Sequence, residues 1–392
     1  MQLLIHLVFI GSFFFGGKDK TDSLIDKQEI VLGAERKDLY YPRLKGKSIG
    51  MVVNHTSMVG KTHLVDQLVA DGLQVKTIFA PEHGFRGNAD AGEVVKDGKD
   101  VSTGLPIVSL YGKNKKPSAE QLKGLDVVIF DIQDVGLRFY TYISTMFYVM
   151  EACAEQNIQV IILDRPNPNG HYVDGPVLEK EYTSFVGIVP IPIVHGMTVG
   201  ELSQLINEEG YLSKGVSCSL LVVPCQGYTH KTPYTLPVKP SPNLPNQQSV
   251  LLYPSICFFE GTNISVGRGT NTQFQVIGGE YKEYGTYEFT PVDMPGAQNP
   301  PLKGKLCYGQ DLRNVDAFSM QFSLQFLIDM YKKSPHKNTF FLPTNHFNLL
   351  AGNGWIKDMI IHGASEEEMR KKWQPELEKF KIVRSKYLIY AD

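Results

Sequence analysis

Two hydrophobic periods alternate along this chain from about Lys47 onward. Short runs in which almost every position is apolar predict buried strands at Ile49–Val53, Val75–Ala80, Ile107–Leu110, Asp126–Phe130, Ile158–Leu163 and Val216–Val223. Between them, apolar residues recur every three or four positions, the spacing of a helix with one buried face. Thr62–Asp71, with Leu64, Leu68 and Val69 on one side and Thr62 as its cap, is such a segment. A short helix opening at Ser118, a longer one over Tyr142–Gln156 and another from Thr198 to Glu209 complete the set. Thr198-Val199-Gly200-Glu201 has the capping-box spacing that marks a helix start. Strand and helix in strict alternation predict an α/β fold, a parallel sheet covered on both faces.

The alternation stops in a connection with prolines at 233, 237, 240, 242 and 245, which fit neither sheet nor helix interior. A domain boundary is expected near Val250. Beyond it the pattern is mixed, with a helix over Phe318–Tyr331, extended chain over Lys337–Leu342, and a charged helix over Glu366–Phe380 interrupted near Pro375. The expected division is thus residues 31–250 and a smaller α/β domain, 251–392, after a leader of about 30 residues.

At 392 residues the chain can hold two cores. A net charge of −2, from 39 basic and 41 acidic residues, supplies no field for nucleic acid or an anionic membrane, so a small or uncharged partner is expected. The apolar run Met1–Phe15 is too short for a comfortable membrane span and suits a signal-peptide core, predicting export to the periplasm without a membrane span once the signal is removed. It has no preceding Lys or Arg and no Ala-x-Ala site. Cys153, Cys218, Cys225, Cys257 and Cys307 are scattered like buried apolar residues rather than a disulfide or zinc framework.

Chemistry concentrates where predicted strands end. Val75–Ala80 runs into Pro81-Glu82-His83-Gly84-Phe85-Arg86-Gly87, where proline stops the ladder, glycines permit tight turns, and Glu82 stands at the rim beside an imidazole and a guanidinium. Asp126–Phe130 releases Asp131, Asp134 and Arg138, with Phe139, Tyr140 and Tyr142 following. Ile158–Leu163 releases Asp164 and Arg165. Ligands of open parallel sheets bind at the carboxyl ends of strands, so these loops predict one polar cleft. Carboxyls there, without metal-ligand spacing around His55 or His83, suit acid/base work on an oxygen-rich substrate, and glycoside hydrolysis needs such a pair. No phosphate loop and no Gly-x-Ser-x-Gly elbow is present, and neither a nucleophile nor a metal for an amidase or esterase can be found. A binding protein that closes on a saccharide without cleaving it fits the same pattern.

Four motifs, Pro-Glu-His-Gly-Phe-Arg-Gly at 81–87, Asp-x-Gln-Asp-x-Gly-x-Arg-x-Tyr-Thr-Tyr at 131–142, Asp-Arg-Pro-Asn-Pro at 164–168 and Glu-Gly-Thr-Asn-x-Ser-x-Gly-Arg-Gly-Thr at 260–270, occur in this order. In them the chain, from about Gly33 to its end, resembles the NamZ-type exo-β-N-acetylmuramidases, glycoside hydrolase family 171, formerly a domain of unknown function. The resemblance implies a Rossmann-like N-terminal domain, a smaller α/β C-terminal domain and an active-site cleft between them. It also implies release of N-acetylmuramic acid from the non-reducing end of peptidoglycan-derived muropeptides or disaccharides during wall recycling, with no cofactor or metal. The family's proposed catalytic Glu falls on Glu82, which makes it the expected general acid. For the second carboxyl, Asp131 or Asp134 ranks before Glu260. His83, Arg86, Arg138, Tyr140, Asp164, Glu260, Asn263 and Arg268 are expected around the substrate, with Arg86, Arg138 or Arg268 as the fork for its lactyl carboxylate.

Overall fold

The apolar runs assemble into one sheet. The computed structural model describes residues 29–86 and 97–392; the apolar N-terminal run, Gly87 and the start of the loop expected from Ala89 lie outside them. Strands β1 (Ser48–Val53), β2 (Gln74–Ala80), β3 (Gly98–Lys99), β4 (Pro106–Ser109), β5 (Val127–Asp131), β6 (Gln159–Leu163) and β7 (Leu220–Val223) lie in the order β7-β6-β5-β1-β2-β4-β3. All neighbours are parallel except β3, which runs antiparallel to β4. The strand order reverses at β1: the chain builds outward through β2 on one side, then through β5 on the other. Loops leaving β2 and β5 therefore diverge around a crevice at the carboxyl edge.

Local chemistry explains where elements depart from the hydrophobic pattern. Thr62 and His63 pair with Met58 and Val59 in a small hairpin, so the helix begins at Leu64 and His63, not Thr62, caps it through Nδ1, 3.2 Å from the Val65 amide. β7 starts only at Leu220, because Cys218 is held off the sheet by Asn207, which both accepts from its amide and donates to its carbonyl.

Helix Gln247–Ile256 carries the chain into its C-terminal part without a break. There β8 (Val276–Gly279), β9 (Tyr287–Phe289) and β10 (Cys307–Asp311) form an antiparallel sheet of order β8-β10-β9. The segment Phe318–Tyr331 is two helices, Ala317–Met320 and Gln325–Lys333, separated at Gln321, whose φ of 59° no helix admits. Lys337–Thr339 is a 3-10 turn rather than extended chain. Glu366–Arg384 is one helix running through Pro375. Its Ser365 capping box and the buried side chains Met369, Trp373, Leu377 and Phe380 outweigh the roughly 3 kcal/mol that an interior proline costs.

Several polar residues expected at the substrate instead hold this framework together. Asp131 is wholly buried at the end of β5, and both its oxygens meet Arg165, at 2.6 Å from Nε and 2.9 Å from Nη2. The same guanidinium donates to the Met58 carbonyl, tying β6, β5 and the hairpin after β1 at one point. Asp164 accepts from the Thr198 and Tyr390 hydroxyls at 2.7 and 2.6 Å and from the Gly200 amide at 2.8 Å, pinning the start of helix Val199–Glu208 and the C-terminal tail to β6. Arg138 is spent on carbonyls: Pro176, Ile191 and, from the C-terminal part, Leu350. Burial pushes its pKa down to about 9, and Gly352 leaves the space, since a Cβ there would lie 2.6 Å from the guanidinium. Asp134 accepts the Gly136 amide at 2.6 Å, while burial pushes its pKa up to about 7.

Two outcomes follow. Arg165→Met strands a buried carboxylate, so unfolding free energy should drop by about 3–5 kcal/mol in chemical denaturation, while the paired change Asp131→Leu with Arg165→Met recovers part of it. Asp134 holds its proton in the folded protein to about pH 7 but releases it near 3.8 when unfolded. It therefore takes stability away as pH rises between these values, by at most about 4 kcal/mol. Asp134→Asn should flatten the fall in stability between about pH 4 and pH 7, measured by denaturant titration at each pH.

Candidate active site

The loop that leaves β2 turns at once. Gly84 N–H donates to the Pro81 carbonyl at 3.0 Å, and His83 and Gly84 both take left-handed backbone, with φ of 67° and 75°. This conformation is costly for a residue with a Cβ, and it holds the half-buried Glu82 and the buried His83 side by side at the carboxyl edge of the sheet. From the other side of the crevice, the loop after β5 brings Thr141, whose hydroxyl donates to Glu82 Oε2 at 2.6 Å. Tyr111, from the loop after β4, lies near the same carboxyl, and burial together with that negative charge keeps its phenol protonated far above its ordinary range.

Glu82 and His83 open into a cavity of about 420 Å³. Its opposite wall comes from the C-terminal part. Helix Gln247–Ile256 contributes Tyr253, the turn after it supplies Cys257 and Glu260, and the glycine-rich loop adds Arg268 and Phe274. Glu260 Oε1 meets Arg268 Nε at 2.6 Å, and the guanidinium lies 5.0 Å from the centre of the Phe274 ring. Burial alone would lower the Arg268 pKa, but attraction to Glu260 outweighs it and the net direction is up. Aromatic rings make a continuous floor: Tyr253 meets Phe139 edge-on at 5.4 Å and Phe274 at 4.9 Å, and Tyr140 meets Tyr142 at 4.9 Å. Tyr140 and Tyr142 both aim their hydroxyls at the Pro240 carbonyl, and Ser241, Asn243 and Leu244 of the same proline-rich connection line the cavity.

Of the residues expected at the substrate, Glu82, His83, Tyr140, Glu260 and Arg268 meet in this cavity. Asp131, Asp134, Arg138 and Asp164 are withdrawn into the interactions already described and do not line it. Arg86 does not line it either: it lies 2.9 Å from Asp100, with its guanidinium 4.2 Å from the centre of the Phe85 ring. Asn263 lies outside the lining, with its amide N–H on the Phe340 carbonyl. Among the described residues the carboxylates lining the cavity are therefore Glu82 and Glu260, one from each part of the chain. Lys115, Thr141, Phe185, Asn243, Tyr253 and His346 line it too, and sequence reading missed them as site residues. Thr141 was within reach, since it sits inside the 131–142 motif; the others carry no local signal. Among the described residues no cluster of three His, Cys, Asp or Glu side chains could hold a metal ion, and no helix is long and apolar enough to cross a membrane.

Comparison with known proteins shows the family. Residues 49–248 match the family model of the N-terminal domain of exo-β-N-acetylmuramidase NamZ, and residues 251–390 match that of its C-terminal domain. The chain is 41% identical over 377 residues to the peptidoglycan β-N-acetylmuramidase NamZ of Bacillus subtilis strain 168, covering 90% of this chain and 89% of that protein. Two crystal structures of DUF1343 family proteins from Bacteroides fragilis NCTC 9343 superpose on it. One has a TM-score of 0.86 at 48% identity, over 93% of this chain and 99% of that one. The other has a TM-score of 0.79 at 31% identity, over 92% and 99%. With both domain models matched in order along nearly the whole described chain, the protein belongs to the NamZ family of exo-β-N-acetylmuramidases.

Proposed function

We propose that this protein is an exo-acting glycoside hydrolase that releases N-acetylmuramic acid from the non-reducing end of peptidoglycan fragments, using Glu82 and Glu260 as its two carboxyls. The observation that carries this reading is their meeting in one aromatic-floored cavity within a chain of the muramidase family. Protonating a glycosidic oxygen requires a carboxyl that can give up a proton and be steadied as it becomes charged. Glu82 suits this role, because the Thr141 hydroxyl already donates to it and Tyr111 lies beside it. Glu260, bound to a guanidinium, suits the role that carries negative charge throughout, steadying positive charge at the anomeric carbon or orienting water. The aromatic floor offers apolar faces to the sugar ring. The apolar N-terminal run supports export, and peptidoglycan fragments as substrate fit a part in wall recycling.

Product analysis with the disaccharide N-acetylmuramic acid-β-1,4-N-acetylglucosamine tests the reading. The wild type should release free N-acetylmuramic acid, and Glu82→Gln should cut kcat by about a hundred- to ten-thousand-fold while melting near the wild-type temperature. Near-normal turnover by that variant would move the acid elsewhere. Binding of the disaccharide by the wild type without any product would instead favour a saccharide-binding protein. Glu260→Gln should lower kcat by at least about a hundredfold, and a change confined to KM would leave Glu260 as a binding group only.

A further inference from the structure

The cavity holds a second cation that no sequence motif announces. Lys115 sits half-buried in the loop after β4, its Nζ 4.2 Å from the centre of the Phe185 ring. Its neighbour Lys116 faces the other way, bound to Glu151 and Glu155 on helix Tyr142–Glu155, so the loop is clamped at this point. Phe185 is fixed as well. Its carbonyl accepts from the Ser144 hydroxyl of the same helix at 2.8 Å, and its ring stacks on Tyr148 at an interplanar angle of 13°. Chain connectivity thus gives two adjacent lysines opposite fates: Lys116 is neutralised on the helix, while Lys115 is carried on an aromatic face at the cavity wall. Among the described residues Lys115 makes no ion pair, whereas the other cationic wall residue, Arg268, is already bound to Glu260.

An ammonium on a rigid aromatic platform and lacking a carboxylate partner is ready for an anion from outside the chain, because a ligand carboxylate meets it without displacing an internal one. We infer that Lys115, positioned by Phe185, is the specificity residue that selects the carboxylate-bearing sugar by pairing with its lactyl carboxylate. This rests on the muramidase reading above and assigns to Lys115 the role that the sequence suggested for an arginine. Lys115 takes no part in bond cleavage, so its removal should alter choice among substrates rather than the chemistry.

The test compares kcat/KM on three substrates: the N-acetylmuramic acid disaccharide, the same disaccharide with its lactyl group as the carboxamide, and the N-acetylglucosamine disaccharide that lacks a lactyl group. Lys115→Met keeps the stem and removes the charge. It should lower kcat/KM on the carboxylate substrate by about ten- to a hundred-fold and on the carboxamide by only about two- to threefold, with Lys115→Arg restoring much of the preference. Phe185→Leu should erode the same ratio in part. A carboxylate-to-carboxamide ratio unchanged in Lys115→Met, with the wild type active, overturns the inference alone. A wild type inactive on all three overturns the muramidase reading and this inference with it. Should Lys115→Met not fold, the wild type itself decides. Raising salt from about 50 to 500 mM should weaken kcat/KM for the carboxylate substrate only, and an equal response of the carboxamide overturns the inference.

Discussion

The bidentate pair between Asp131 and Arg165 is the interaction on which the rest of the structure hangs. It sits where the strand order of the sheet reverses, with Asp131 wholly buried and Arg165 3% exposed. Removing two charges from water is costly, and only complete pairing with further hydrogen bonding offsets the cost. The guanidinium meets that condition by also taking the Met58 carbonyl. The pair fixes the carboxyl ends of β5 and β6 relative to the hairpin after β1. From that fixed end the chain runs on to Thr141, and Thr141 reaches Glu82 across the crevice. The position of Glu82 thus depends on charges that do not line the cavity.

Much of the fold was legible in the sequence because the strands of a doubly covered sheet are apolar at nearly every position, and few other elements are. β5 is buried along its whole length, and no alternative period competes there. Element ends were less legible. Thr62 lost its capping role to His63, and β7 began late because Asn207, eleven positions earlier than Cys218, took the backbone groups that a longer strand would have used. These are decisions made by tertiary partners, invisible to a local pattern.

The site was legible in a more divided way. Charged residues at strand ends do cluster at one edge, as the strand-end rule required, but the rule does not say which way each side chain points. Asp131, Asp134 and Asp164 follow strands much as Glu82 does, yet their carboxyls turn inward to arginine, amide and hydroxyl partners while Glu82, held by the Thr141 hydroxyl, lines the cavity. The difference lies in the partners, and for Asp131 and Asp164 those come from segments distant in sequence: Arg165, Thr198 and Tyr390. Lys115 shows the converse, since nothing near it in sequence marks it and only Phe185, seventy positions later, gives it a place.

The aromatic floor of the cavity is not a lining laid over the core but part of it. Phe139 from the N-terminal part touches both Tyr253 and Phe258 from the C-terminal part, and these rings belong to one hydrophobic cluster that spans the molecule. Two lobes joined by a polar cleft can rock apart at little cost; parting these would wet the buried rings that they share. The cleft therefore works as a fixed mould rather than a jaw. On the proposed function, a saccharide would be admitted or refused by its fit to a shape that exists before it arrives, and the ordering that a closing enzyme obtains from its substrate would have been done once, by folding.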